Sequence, residues 1–383
     1  MNFSCHLCHN EGLIAVPEYS ALKRVASDCK PWPEGGKLGV CPVCSTAQAV
    51  IDDHWRNECD EIYSSYTIYH QSGGEEQPVY SPGAGIPSAR SDYLLSCMSE
   101  VVSIPYSGRL LDIGCGNGGF LRSFCKKFPG WRLNGSEYDA KYRSEVERIP
   151  SFDQLFIGDI SAATGQFDMI SLIHVLEHIA SPRALLDQIH SKLKPGGLLV
   201  IELPYFVENP FVLPVADHAT HFDIASIHAL LADTGFHPHH LTSNWVPKEL
   251  SIVASKTPAP GPVVSAAPVD PIPAVRWLME VRDRALAVAR GSRHFGIFGT
   301  SIAGNWLYAE LAPMVKFFVD EDPSREGKIM NGCPILLPGQ VPPDSDIYIA
   351  LPPQIVEGVA ERLRAQPGCY HLPPAGPVHC PLA

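Results

Sequence analysis

Charge is scarce in this chain of 383 residues: 18% are Asp, Glu, Lys or Arg, against 45% hydrophobic residues. That balance excludes a disordered chain, which has too little apolar surface to offset the entropy of ordering. Positive charge is the scarcer kind, with 29 Lys and Arg against 41 Asp and Glu and a formal net charge of −12. A general nucleic-acid binder is excluded with it, because such proteins displace phosphate counterions with clustered cations. No run of 18 or more apolar residues occurs, so no membrane partner is expected. The opening Met1-Asn-Phe-Ser-Cys-His lacks the basic-then-apolar order of a secretory signal, and a cytoplasmic location is the expectation. In a reducing compartment, the 12 cysteines read as thiols or metal ligands rather than a disulfide framework.

What is present is unevenly distributed. Nine of the 12 cysteines precede residue 130, and five lie within the first 44. The segment 257–273 holds six prolines and a single charge, Asp270, too stiff and too poor in donors for a helix or central strand. Three domains follow: 1–89, 90–256 and 274–383, with 257–273 as linker. In the middle block, apolar runs of strand length (Arg109–Ile113, Trp131–Glu137, Leu155–Asp159, Phe167–Ile173, Gly197–Leu203) alternate with helix-length segments. Such alternation predicts right-handed crossovers and a parallel sheet. Phe236–Asn244 and Glu249–Lys256, joined by a Pro-containing turn, predict an antiparallel hairpin at its edge. The fold class is α/β.

The first strand runs into Leu111-Asp112-Ile113-Gly114-Cys115-Gly116-Asn117-Gly118-Gly119-Phe120. Glycines let a backbone turn tightly and let a ligand approach without a Cβ in the way. Gly114, Gly116 and Gly119 satisfy the dinucleotide spacing, which a purely structural turn would also satisfy. Asp112, however, suits a cationic amino acid better than a pyrophosphate. Glu137 ends the next strand 21 residues past Gly116, where a carboxylate can accept both ribose hydroxyls. Asp159, in Ile157-Gly158-Asp159-Ile160, can accept from an adenine amino group. The ligand these groups match is S-adenosylmethionine, with Cys115, Asn117, Tyr138, Ile160 and His174 completing the pocket. His174-Val-Leu-Glu177-His178 invites a metal reading, but its spacing is not H-E-x-x-H, and it reads instead as pocket lining. This run of motifs resembles the class I methyltransferases over about residues 107–256.

Cys5-His-Leu-Cys8 and Cys41-Pro-Val-Cys44 are two C-x-x-C pairs with 32 residues between them. Each turn points two thiolates at one tetrahedral ion, and together they predict a closed, structural zinc site. Tyr63, Tyr66 and Tyr69 form either a core stripe or the wall of a polar substrate site. His237, His239 and His240 read as an exposed strand cluster.

Taken together, the three parts resemble the three-domain C-methyltransferases of nucleotide-linked deoxysugars. These join a zinc-binding domain, a class I (Rossmann-like) methyltransferase sheet and a smaller C-terminal α/β domain. The likeness includes the Tyr63–Tyr69 stretch, Phe295-Gly-Ile-Phe-Gly299-Thr-Ser-Ile-Ala-Gly304 and Phe318-Val-Asp320-Glu-Asp322. The resemblance implies a nucleotide-sugar substrate and an enolate formed by a base. The family's Glu-His pair falls on Asp217-His218 and its Tyr on His221, so the expected catalytic residues are His218, Asp217, His221 and Tyr66. Asp217 is expected to orient the His218 ring. The family's Gly-Gly-Ser-Leu-Arg run is absent, with Asn244–Glu249 in its place. Methylation at oxygen or nitrogen of another small metabolite, or a module that binds without turnover, is the competing reading. The C-terminal glycines Gly299 and Gly304 would suit a phosphate at a helix start, but no downstream acid stands where a nucleotide would need one.

Overall fold

Each C-x-x-C pair folds as a tight turn, and three short strands hang from the two turns: β1 (Ile14–Ala15), β2 (Leu38–Val40) and β3 (Ala47–Ala49). The structure is a computed structural model and describes residues 3–66, 76, 78–79, 88–258 and 266–377. Tyr69 and part of the Pro-rich segment 257–273 lie outside the described residues. The β1–β2–β3 sheet is antiparallel, and its fourth strand comes from far along the chain: β9 (Thr220–His221) pairs Thr220 with Gln48 and His221 with Ala47. Helix α1 (Asp53–Ser64) starts where Asp52 accepts a hydrogen bond from Trp55 N at 2.9 Å, satisfying a donor the helix leaves orphaned.

Helix α2 (Arg90–Val101) leads into the central sheet. Its elements are β4 (Arg109–Ile113), α3 (Gly119–Lys127), β5 (Arg132–Glu137), β6 (Phe152–Ile157), β7 (Phe167–Ile173), α4 (Pro182–Lys192) and β8 (Leu193–Pro204). After β9 come α5 (Ile224–Asp233), β10 (His237–Thr242) and β11 (Glu249–Ser255). The seven strands run in the order β6-β5-β4-β7-β8-β11-β10, with β11 antiparallel to both neighbours. The expected edge hairpin is present. Both faces are covered, so adjacent residues serve opposite cores: Leu111 and Ile170 pack on one side, Leu110 and Met169 on the other. The expected third strand stops at Ile157, short of Asp159, and the fifth begins at Leu193, taking in the Lys-Pro-Gly-Gly stretch. His237, His239 and His240 are half-buried rather than exposed; His239 Nε2 lies 2.7 Å from Ser255 Oγ and His240 stacks on Trp245.

The last sheet comprises β12 (Phe295–Phe298), β13 (Val315–Val319), β14 (Ile329–Met330), β15 (Cys333–Leu336), β16 (Asp346–Ile349) and β17 (Cys369–His371), ordered β14-β15-β13-β12-β16-β17. Helices α6 (Ile272–Gly291), α7 (Ile302–Leu311) and α8 (Pro353–Leu363) accompany it. The glycine of α7 is required by packing: a Cβ on Gly304 would stand 1.9 Å from the Gly299 carbonyl oxygen. An acid does follow β13. Asp320 accepts from the Thr300 hydroxyl and pairs with Arg325 at 3.2 Å, so it ties down the glycine turn rather than facing an open site. Helices α6 and α7 do not stand apart from the N-terminal segment. Trp277 and Trp306 share one core with Tyr19, Leu22, Phe211 and Leu213, and Trp306 Nε1 donates to Lys23 O at 2.9 Å. Among the described residues, no helix is long and apolar enough to cross a membrane.

Candidate active site and metal centre

The C-terminal ends of β4, β5 and β7 converge on the turn that follows β4. Gly114, Gly116 and Gly118 adopt positive φ values of 65°, 53° and 85°. At Gly114 a Cβ would also meet Val175 Cγ2 at 2.5 Å, so both the conformation and the space demand glycine. The turn is held by Gly114 N and Cys115 N, which donate to Ser136 O at 2.8 and 3.2 Å. Glu137 reaches back to it, accepting from Gly116 N at 2.6 Å and Tyr138 N at 3.0 Å. Burial raises the Glu137 carboxyl above its ordinary range despite these two bonds.

Asp112 lies beneath the turn, 2% exposed, accepting from Ser171 Oγ at 2.7 Å across the β4–β7 pairing. Burial, reinforced by the charges of Glu137 and Glu76, pushes it up to about 8. Such a group is poised to ionise when a cation arrives. Asn117 is buried in the same turn, and Ile160 is buried in a core shared with Ile113. Asp159 is exposed and caps the turn Ile160–Ala162, accepting from Ser161 N at 2.7 Å. The Tyr138 side chain is 88% exposed. Glu76 was not anticipated: it accepts from Ser91 N and Ser91 Oγ at 3.0 and 2.6 Å and stands over Gly119.

A second constellation forms where β7 ends and the segment before β9 crosses it. His174, at φ 54°, lies with Nδ1 3.4 Å from Glu177 and Nε2 3.4 Å from Glu202, and Arg90 reaches both the ring and Glu202. Four residues on, His178 faces Asp217 rather than open space, with Nδ1 3.0 Å from the Asp217 carbonyl oxygen and 3.3 Å from Oδ2. Asp217 is wholly buried and accepts from Ser27 N at 2.9 Å and Ser27 Oγ at 2.5 Å. In place of the expected Asp217–His218 pairing, the Asp217 carboxylate takes His178 as its imidazole partner. His218 meets His178 edge-on, ring centroids 4.8 Å apart, and His221 at 5.8 Å. Burial, together with the charge on His178, lowers His218 to about 4, so that ring is neutral at neutral pH. Burial opposes charge on His178 too, but the Asp217 carboxylate outweighs it and holds that ring above its ordinary value. Tyr63 Oη lies 3.2 Å from His178 Nδ1, and Tyr66 stacks obliquely on Tyr63 at 5.8 Å. Tyr63 thus joins the polar site, while Tyr66 packs on Tyr63 and on the small core of Ala26, Ile62 and Ala216.

Residues 91–241 match the family model described as a methyltransferase domain. Among curated relatives, trans-aconitate 2-methyltransferase of Variovorax paradoxus is 28% identical over 28% of this chain and 43% of its own length. Ubiquinone biosynthesis O-methyltransferase of Cereibacter sphaeroides is 37% identical over 25% of this chain and 42% of its own. The match therefore spans under half of each of these relatives. A solved S-adenosylmethionine-dependent methyltransferase from Clostridium acetobutylicum superposes with a TM-score of 0.37 at 13% identity, covering 53% of this chain and 98% of that one.

Cys5 and Cys41 of the four-thiol cluster pack in one core with Leu172, Leu186 and Ile189. Cys5 Sγ is 3.4 Å from Cys44 Sγ, Cys8 Sγ is 3.5 Å from Cys41 Sγ, and all four sulfurs fall within 4.8 Å of one another. The two turns are alike. Leu7 N and Val43 N each point at the first sulfur of their pair at 3.4 Å, and the residues after each pair, His9 and Ser45, adopt positive φ values of 59° and 61°. Tetrahedral zinc with ~2.3 Å bonds separates its sulfurs by roughly 3.8 Å, so the set fits that ion. As bare thiols they cannot all ionise: the Cys5–Cys44 hydrogen bond drives Cys44 down to about 4 and Cys5 up, and burial raises Cys8 to about 11. The knuckles are joined to the imidazole constellation. His6 Nδ1 lies 3.0 Å from Thr220 Oγ1, and Ala49 N donates to Ala219 O at 2.9 Å.

Proposed function

We propose that the chain is an S-adenosylmethionine-dependent methyltransferase of a small molecule. The carrying observation is the buried, raised Asp112 beneath a turn of three positive-φ glycines, with Glu137 bonded into the same turn. In this reading Asp112 meets the cofactor's ammonium group, Glu137 its ribose hydroxyls, and Asp159 with Ile160 its adenine. The cofactor supplies an electrophilic methyl group on a sulfonium. Cys5, Cys8, Cys41 and Cys44 would hold a structural zinc ion, whose closed shell leaves no position for water.

The acceptor is read as a nucleotide-linked keto-deoxysugar methylated at carbon, and the imidazole constellation supports that reading. A carbon acid needs a proton acceptor close by. Asp217 charges this constellation through His178, while neutral His218 and His221 offer lone pairs and Tyr63 and Tyr66 offer hydroxyls. The same groups bear on the runner-up, transfer to an oxygen or nitrogen, where no carbon acid is involved. The layout of 1–89, 90–256 and 274–383 about the 257–273 linker is part of the proposal. In it the N-terminal part lines the acceptor site through Tyr63, Tyr66 and Ser27. Incubating the chain with methyl-labelled cofactor and keto-deoxysugar nucleotides should give an acceptor one methyl heavier, labelled on carbon by NMR. A label on oxygen or nitrogen selects the runner-up, and no label on any acceptor refutes the reading.

A further inference from the structure

Glu177 presents a problem that methyl transfer does not solve. It is 2% exposed, yet neither carboxylate oxygen receives a hydrogen bond among the described residues. Its nearest polar atoms are imidazole nitrogens: His174 Nδ1 at 3.4 Å and His178 Nε2 at 3.9 Å. One oxygen of Glu177, one nitrogen of His178 and one nitrogen of His218 all lie within 4.8 Å of one another. A buried carboxylate needs positive charge close by, and here imidazoles supply it, His174 and His178 standing at ion-pair distance with no hydrogen bond made.

The neighbours are arranged as metal-site neighbours are. His178 turns Nδ1 to the Asp217 carboxylate and carbonyl, which leaves Nε2 on the Glu177 side. A carboxylate behind the distal nitrogen is the usual device that fixes the tautomer and orientation of a metal-bound histidine. Asp217 is itself fixed by Ser27 N and Ser27 Oγ, and the Glu177 carbonyl accepts from Ala219 N at 2.7 Å, so the two ligand-bearing segments are tied together. We propose that Glu177, His178 and His218 form a site for a divalent transition-metal ion, with open positions that hold an oxygen of the acceptor. Two imidazoles and one carboxylate suit zinc, iron, cobalt or manganese better than calcium or magnesium, which favour all-oxygen shells. The ion polarises a bound carbonyl or hydroxyl, making the neighbouring C–H or O–H more acidic. His221 then remains the imidazole free to take the proton. Metal binding at these residues stands without any methyl transfer; only the acceptor-oxygen role rests on the proposed function.

Cobalt(II) alone is the probe, added to the full chain without cofactor or acceptor. Wild type should take up one equivalent with thiolate-to-cobalt absorption at the Cys5–Cys44 site. A second equivalent should bind without that absorption. Glu177→Gln and His218→Ala should each lose the second equivalent and keep the first. Retention of two equivalents by both variants, or a single equivalent in wild type, overturns the proposal. Should the variants fail to fold, anomalous scattering from cobalt-soaked wild-type crystals decides it. A peak bonded to Glu177, His178 and His218 is expected, and a peak at the cysteines alone overturns the assignment. Neither result bears on whether cofactor binds the glycine turn, so the two readings fail separately.

Discussion

Replacing Asp112 by Asn removes a single proton-binding site from beneath the glycine turn while keeping a group that can accept from Ser171. In the free chain burial pushes Asp112 up to about 8, so at pH 7 about a tenth of the population is ionised. Binding a cationic cofactor against the carboxylate should drive ionisation to completion and release about 0.9 proton per cofactor at pH 7. Affinity should rise roughly tenfold per pH unit from pH 6 to 7 and level off above about 8. The folded value lies above the ordinary 3.8. Stability from the protonated group is therefore fully present below about pH 4 and lost as pH rises through about 8, on the order of 5 kcal/mol in all. Titration calorimetry in buffers of different ionisation enthalpy reads the proton directly. Asp112→Asn should abolish most of the buffer dependence, flatten the affinity profile and lose less stability between pH 6 and 9. A wild-type chain that binds cofactor with no buffer dependence and a flat profile would refute the role given to Asp112.

The remaining expectations concern other parts of the molecule. Stripping metal from the four cysteines should remove several kcal/mol and lower the unfolding temperature by roughly 10 °C or more; metal loss with unchanged melting contradicts a structural role. Gly304→Ala places a Cβ against the Gly299 carbonyl and should cost about 1–3 kcal/mol or more, seen as an earlier unfolding transition. Asp217→Asn should lower turnover by roughly 100-fold while leaving cofactor affinity within about twofold, because Asp217 acts through His178. Equal loss of both would show a general structural defect instead.

How much of this was legible beforehand differs by element. The glycine turn, Asp112 and Glu137 were legible because they lie in one stretch at strand ends, where local pattern fixes position. So were the C-x-x-C pairs, since each tight turn sets its own two sulfurs and the β1–β2 pairing brings the turns together. The pairing of β9 with β3 was not, since two residues of strand carry no periodic signal and their partner is over 170 positions away. For the same reason Ser27 gives no local signal: it acts on Asp217, 190 positions away. The partner of Asp217 is His178 rather than His218 for a different cause. The resemblance alone implies the Asp217–His218 pair, and it carries no information on His178, which reaches the carboxylate from 39 positions away. Glu202 and Glu249 offered no signal at all, one lying within an apolar strand run and the other at the start of the next.

In the proposed function the turn after β4, with Asp112 and Glu137, holds S-adenosylmethionine, while the imidazole constellation serves a separate acceptor. Titrating S-adenosylmethionine into the full chain, with Glu137→Ala and His218→Ala in parallel, tests both halves at once. Wild type should show one saturable site, Glu137→Ala binding weakened by about tenfold or more, and His218→Ala affinity within about twofold of wild type. Absence of saturable binding in wild type, or equal loss in the two variants, would contradict the proposed function.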